Sequence, residues 1–153
     1  MKPIFLLVCI FFLSSSCTAK NYLYYKHTGY EINNKFKKLQ GFNIDYEVEN
    51  GGPIFNNEIS IYKVSKAKCI IVSKIDGDSG VYGTETILYF SNAKILEGYR
   101  INYSYNFLDG EGSKKINRLN YEKNRKNENL DQLNKELNGY LKYINKKTLK
   151  ECS

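Results

Sequence analysis

TETILYFSNAKILEGYRINYSYNF, residues 84–107, decides the architecture. Thr84–Phe90 is a β-branched and aromatic run, Ser91-Asn92-Ala93-Lys94 is a link of hairpin length, and a second, longer run follows. In that run Tyr99, Ile101, Tyr103, Tyr105 and Phe107 fall on one side and Arg100, Asn102, Ser104 and Asn106 on the other. Strict alternation over this length is the mark of a strand with one buried face. Two strands joined by so short a link must pair antiparallel.

The same grammar extends in both directions. Upstream, Phe42, Ile44, Tyr46 and Val48 alternate with Asn43, Asp45, Glu47 and Glu49, and Gly51-Gly52-Pro53 ends that strand. Ile59–Val64 and Cys69–Ile75 are two further β-branched runs joined by Ser65-Lys66-Ala67-Lys68, and Asp76-Gly77-Asp78-Ser79-Gly80 is a turn. Tyr22–Tyr25 could open the sheet. Ile116–Tyr121, after the Asp109-Gly110-Glu111-Gly112 turn, could close it.

Helical signals stand at the two ends. Thr28 and Glu31 form a capping box, Ile32, Phe36 and Leu39 follow at helical spacing, and Gly41 stands at a stop, so a short helix is expected from about 29 to 39. At the other end Leu130, Leu133, Leu137, Tyr140, Leu141 and Ile144 make one apolar stripe, capped by Asn129 with Gln132. Gly139 weakens that helix by ~1 kcal/mol. The expected fold class is α+β: an antiparallel β-meander of five to seven strands, packed by a C-terminal amphipathic helix, with a short N-terminal helix. The apolar sheet face is expected to meet the C-terminal stripe.

The chain begins MKPIFLLVCIFFLSSSC. Lys2 precedes ten apolar residues, Ile4–Leu13, too few to cross a bilayer, which takes roughly 20. A cation, a short apolar run and small residues read as an export signal. Leu13 with Ser14-Ser15-Ser16-Cys17 resembles the lipobox of bacterial lipoproteins, although the leucine lies four residues before the cysteine rather than the usual three. The resemblance implies a signal peptide over 1–16 and acyl chains on Cys17. The roughly 135 residues that remain are enough for one domain but not two, so a single α+β domain is expected within 17–153, with a short tether over 17–21. It also implies, through Thr18, sorting to the outer membrane of a Gram-negative cell, facing the periplasm. The competing reading is cleavage after Ala19 and a secreted or soluble periplasmic product. Thr86–Phe90 with Asn92-Ala93-Lys94-Ile95-Leu96 is also similar to hairpins of small uncharacterised bacterial lipoproteins, a likeness that implies no activity.

Cysteine usage agrees with export. Cys9 leaves with the signal and Cys17 is the lipidation candidate, leaving Cys69 and Cys152 as either one disulfide or two thiols. A bond between them would tie the C-terminal end to a central strand and add ~4 kcal/mol by loop-closure entropy. Two cysteines and one histidine are too few for a structural zinc site.

The net charge of +7, or +6 without Lys2, either serves solubility alone or, outside the cytosol, points to anionic lipid, polyanionic glycan or an acidic protein rather than to nucleic acid. Lys114, Lys115, Arg118, Lys123, Arg125 and Lys126 form the densest basic cluster, a solvated loop or a membrane-facing patch that reinforces an anchor.

Catalytic signatures are weak. His27 is the only histidine, it precedes a helix cap, and no G-x-S-x-G surrounds any serine. The Asp76–Gly80 run fails as a calcium loop, because position 5 is Gly80, position 6 Val81 and position 12 Ile87. Asp45, Glu47 and Glu49 could supply paired carboxylates, yet an alternating polar face is wet and glycoside hydrolysis needs one carboxyl in a dry pocket.

Fourteen tyrosines exceed what one sheet face can bury. Surplus tyrosine suits an interface. Tyr62 and Tyr89, with the Asp45–Glu49 stripe, are therefore the candidate partner-binding residues. No cofactor or metal is expected. The expected function is a membrane-anchored, non-enzymatic protein-binding module of the cell envelope, immunity- or inhibitor-like. An Asp/Glu-dependent envelope hydrolase and a structural envelope component are the alternatives.

Overall fold

Thr28 starts the described chain's first helix by reciprocal capping: its hydroxyl accepts from Glu31 N–H at 3.2 Å, and its own N–H donates to Glu31 Oε2 at 2.8 Å. The computed structural model describes residues 27–47, 54–77, 81–105, 119–123 and 126–153. α1 (Gly29–Lys35) is shorter than the 29–39 expected from sequence. Phe36 is already extended, and Lys37 and Lys38 pair with Lys63 and Tyr62. The backbone of 37–40 finds partners on a neighbouring strand, which outweighs the helical spacing of Leu39. Leu39 instead becomes the extra residue of a β-bulge between Lys38 and Gln40.

Seven strands follow among the described residues: β1 (Lys37–Glu47), β2 (Ile54–Ser65), β3 (Lys68–Asp76), β4 (Tyr82–Ser91), β5 (Lys94–Tyr105), β6 (Leu119–Tyr121) and β7 (Lys126–Asn127). The order is β1-β2-β3-β4-β5-β6, every neighbour antiparallel, with β7 also on β5. The meander is therefore the one expected. Its links are tight: Ser91 pairs with Lys94 across Asn92 and Ala93, both at positive φ (50° and 58°), the conformation that continues the strands' right-handed twist. The expected strand at Tyr22–Tyr25, the turns at Gly51–Pro53 and Asp109–Gly112, and residues 116–118 lie outside the described residues.

The sheet is covered on both faces, a correction to the single apolar face expected. On one face Ile59, Ile61, Cys69, Ile71, Leu88 and Phe90 meet Leu133, Leu137, Tyr140 and Ile144 of the C-terminal segment. On the other Tyr62, Ile70, Val72, Ile87, Tyr89, Tyr99 and Ile101 surround Ile32 of α1. The tyrosine row of β5 thus faces α1, and the C-terminal helix covers the opposite side. Val72 and Ile71, or Leu88 and Tyr89, are consecutive and both buried, as in strands sandwiched between two layers.

The C-terminal stripe divides into α2 (Leu130–Leu141) and α3 (Lys146–Glu151), with Ile144 buried in the corner between them. Asn145 recaps the chain by accepting from Thr148 N–H at 2.8 Å. Gly98 lets α2 come close to the sheet, since a Cβ there would stand 3.1 Å from Leu133 Cδ1 and 2.8 Å from Ile87 O. Cys152 is bonded to Cys69 of β3 with Cα atoms 5.5 Å apart across 83 residues. Its carbonyl also accepts from Asn92 N–H at 2.9 Å, so the end of α3 is held to β3 and to the β4–β5 turn.

Candidate functional site

On the α2 side the buried row of each central strand turns polar toward the same end. Ser73, Thr86 and Arg100 stand in register across β3, β4 and β5, and Ile75, Thr84 and Asn102 form the next row, with Asn57 of β2 beside Ile75. Asn57, Ser73 and Thr86 are all buried. Tyr140 donates its hydroxyl to Ser73 Oγ at 3.0 Å, and Ser73 donates to Asn57 Oδ1 at 2.8 Å. Burial pushes the Tyr140 hydroxyl above its ordinary value, so it remains a donor.

Above this floor α2 turns Gln132, Lys135, Glu136 and Tyr140 toward the sheet, the spacing of one helix face. Between floor and wall lies an open groove of about 940 Å³, with Phe55 and the exposed Tyr82 at its mouth. That volume is at the upper end of ordinary ligand clefts. Arg100 is clamped there: its guanidinium donates to Glu136, and Nε lies 3.6 Å from Glu128 Oε1. The groove thus offers one fixed amide, hydroxyls, one paired guanidinium and aromatic edges, a set suited to hydrogen-bonding a polypeptide or another polar ligand.

The opposite face holds a second polar centre, under α1. Glu85 is 1 % exposed and accepts from Gly29 N–H at 2.7 Å and from the Tyr121 hydroxyl at 2.8 Å. Burial raises its carboxyl above the ordinary range, against the pull of those two donors and of the Lys74 charge. Nearby, Asp76 Oδ1 accepts from Tyr103 at 2.6 Å and Tyr105 at 2.9 Å, while Lys74 donates to Tyr105 at 2.8 Å and lies over both rings. Tyr103 and Tyr121 are both pushed well up, chiefly by burial. Each of these groups already has partners that join strand to strand or helix to sheet, which makes this centre structural.

The residues singled out from sequence are scattered. Tyr62 and Tyr89, expected at a partner surface, are interior, 4 % and 2 % exposed, because the face that carries them is sealed by α1. Tyr62 spends its hydroxyl on Asn33 Oδ1 at 3.0 Å. Asp45 is exposed on β1, opposite Asn56. Glu47 ends β1 in register with Ile54, but its side chain, and all of Glu49, lie outside the described residues. So do Cys17, Lys114, Lys115, Arg118 and Arg125. Lys123 and Lys126 are exposed, Lys126 in register with Arg100. His27 is half-buried, its carbonyl accepting from Tyr99 at 2.6 Å and its ring edge-on to Phe36.

The groove residues Asn57, Ser73, Thr86, Glu136 and Tyr140 were not found by sequence reasoning as a site. The available signal was parity: counting by twos from Ile61, Ile71 and Leu88 reaches Asn57, Ser73 and Thr86 on the same face. Among the described residues no group of three His, Cys, Asp or Glu side chains could hold a metal ion, and no helix is long and apolar enough to cross a membrane. No protein family, curated protein or solved structure matches the chain.

Proposed function

We propose that this protein is a non-enzymatic binding module of the cell envelope, exported and tethered through lipid on Cys17, that takes a segment of a protein partner into the Arg100 groove. The observation that carries the reading is the groove itself. Its floor carries a chain of side-chain hydrogen bonds from Tyr140 through Ser73 to Asn57, so these polar groups are already oriented before a ligand arrives. The exposed Tyr82 at the mouth supplies the rigid aromatic area that anchors interfaces. The Cys69–Cys152 bond supports residence in an oxidising compartment. Lys123 and Lys126, both exposed, would add attraction to anionic headgroups near an anchor. An immunity protein or an envelope inhibitor works in this way, by occupying its partner.

Photo-crosslinking from position 82 in intact cells tests it. A photoreactive phenylalanine in place of Tyr82 is expected to give one discrete adduct. Filling the groove with Thr86→Arg should remove that adduct, while Asp45→Lys, on the far strand, should leave it. An adduct that survives the filled groove, or turnover of an envelope polymer by the purified protein, would contradict the reading.

A further inference from the structure

We propose that the outer edge of β1 is a self-association surface, along which a second copy of this chain adds its own β1 antiparallel. β1 is eleven residues long, stands last in the strand order, and among the described residues pairs only with β2. The outward N–H and C=O groups of such a strand template another strand. The described packing of β1 lies beneath its α2-side face: Phe42 stacks on Tyr143 at 5.7 Å, and Gln40 bonds the Tyr143 carbonyl and the Asn145 N–H.

Charge selects the occupant. On the α1-side face β1 presents Lys38, Gly41, Asn43 and Asp45 in that order, all exposed. Lys38 and Asp45 share this face because the Leu39 bulge shifts the register by one. The Lys38 chain runs along bare Gly41 backbone, its Cε 3.0 Å from where a Cβ would stand. A two-fold axis at Phe42 sets Gly41 opposite Asn43 of the second copy and Gln40 opposite Ile44. With the bulge taken out, Lys38 then faces Asp45, and symmetry makes the pair twice. A parallel approach would instead oppose Lys38 with Lys38 and Asp45 with Asp45, which is destabilising. Copies carrying +6 each once Lys2 is removed repel at a distance, so a locally complementary edge fixes one register. The Arg100 wall of the groove lies on β5, across the sheet from this edge, and stays open in both copies.

Sedimentation of the full-length protein in density-matched detergent, with charge reversals on this exposed face, is the test. Wild type should show a monomer–dimer equilibrium, Lys38→Asp and Asp45→Lys should each weaken it by roughly tenfold, and the two together should restore it. In cells, Lys38→Cys with Asp45→Cys should give a disulfide-linked dimer whose bridging peptides join position 38 to position 45, while Lys38→Cys alone gives none. A wild type that stays monomeric at all concentrations, as it would if another protein or the segment before His27 filled this edge, overturns the proposal. So does a double reversal no tighter than the single ones, or a dimer linked through position 38 alone.

Discussion

The two faces of this sheet are sealed by different physics. The α2–α3 face is closed by aliphatic area and a covalent tie: Leu133 and Leu137 lie on Ile59, Ile61, Ile71 and Leu88, and Cys152 is fastened to Cys69. The α1 face has a helix of only seven residues whose one buried apolar side chain is Ile32. There the packing around Ile32 is joined by buried hydrogen bonds, with the Gly29 N–H and the Tyr121 hydroxyl both donating to the Glu85 carboxylate. One face should therefore fail through redox change or cavities. The other should fail through protonation or the loss of a single partner.

The largest break of that contrast is the disulfide. Replacing Cys69 and Cys152 by serine should lower stability by ~4 kcal/mol, read as a fall in urea midpoint, and should free α3 before the α1 face is disturbed. Amide exchange should show position 152 and Leu149 opening while Ile70 and Ile87 stay protected. Next, Leu137→Ala, at a site 1 % exposed, should remove about 3 kcal/mol by leaving a cavity against the sheet.

On the α1 face the informative variable is pH. A carboxyl raised in the fold, as Glu85 is by burial, contributes stability that is complete below its unfolded value and is lost as pH rises through the raised one. Wild type should therefore lose thermal stability relative to Glu85→Gln as pH climbs from about 4 toward neutrality, because only wild type must carry the buried charge. Melting curves of both proteins across that range give the comparison. Parallel curves would mean that Glu85 does not titrate in this window. The smallest effect is expected at the β4–β5 turn, where Ala93 holds φ at 58°: Ala93→Gly should raise stability by about 0.5 kcal/mol, the relief of left-handed strain exceeding glycine's entropy loss.

The meander order and antiparallel pairing of β1 to β6 were legible because hairpin links are local and alternation survives in β1 and β5, whereas the two-residue β7 lies in a stretch that reads as a loop. Sidedness was not read correctly, although the sign was present: Ile70-Ile71-Val72 and Ile87-Leu88-Tyr89-Phe90 are continuous apolar runs, which belong to strands covered twice. Missing that layer turned Tyr62 and Tyr89 into surface candidates when both are interior. Arg100 was placed correctly on the polar side of β5, but only the tertiary structure brings Glu128 and Glu136 against it. The groove needs five segments at once, and no local pattern announces it. The end of α1 was misjudged for a related reason: Leu39 satisfies a helical period and a bulged strand equally, and pairing with β2 decides between them.

The Cys69–Cys152 bond fastens the α2–α3 face to the sheet, and this links the fold to the proposal of export. The most direct measurement is the intact mass of the native protein recovered from membranes, followed by peptide mapping without reduction. The expected product is a chain that begins at Cys17 with acyl chains attached, and one peptide pair joining Cys69 to Cys152. A protein recovered from the cytosol that retains Met1 and carries both cysteines as free thiols would contradict it.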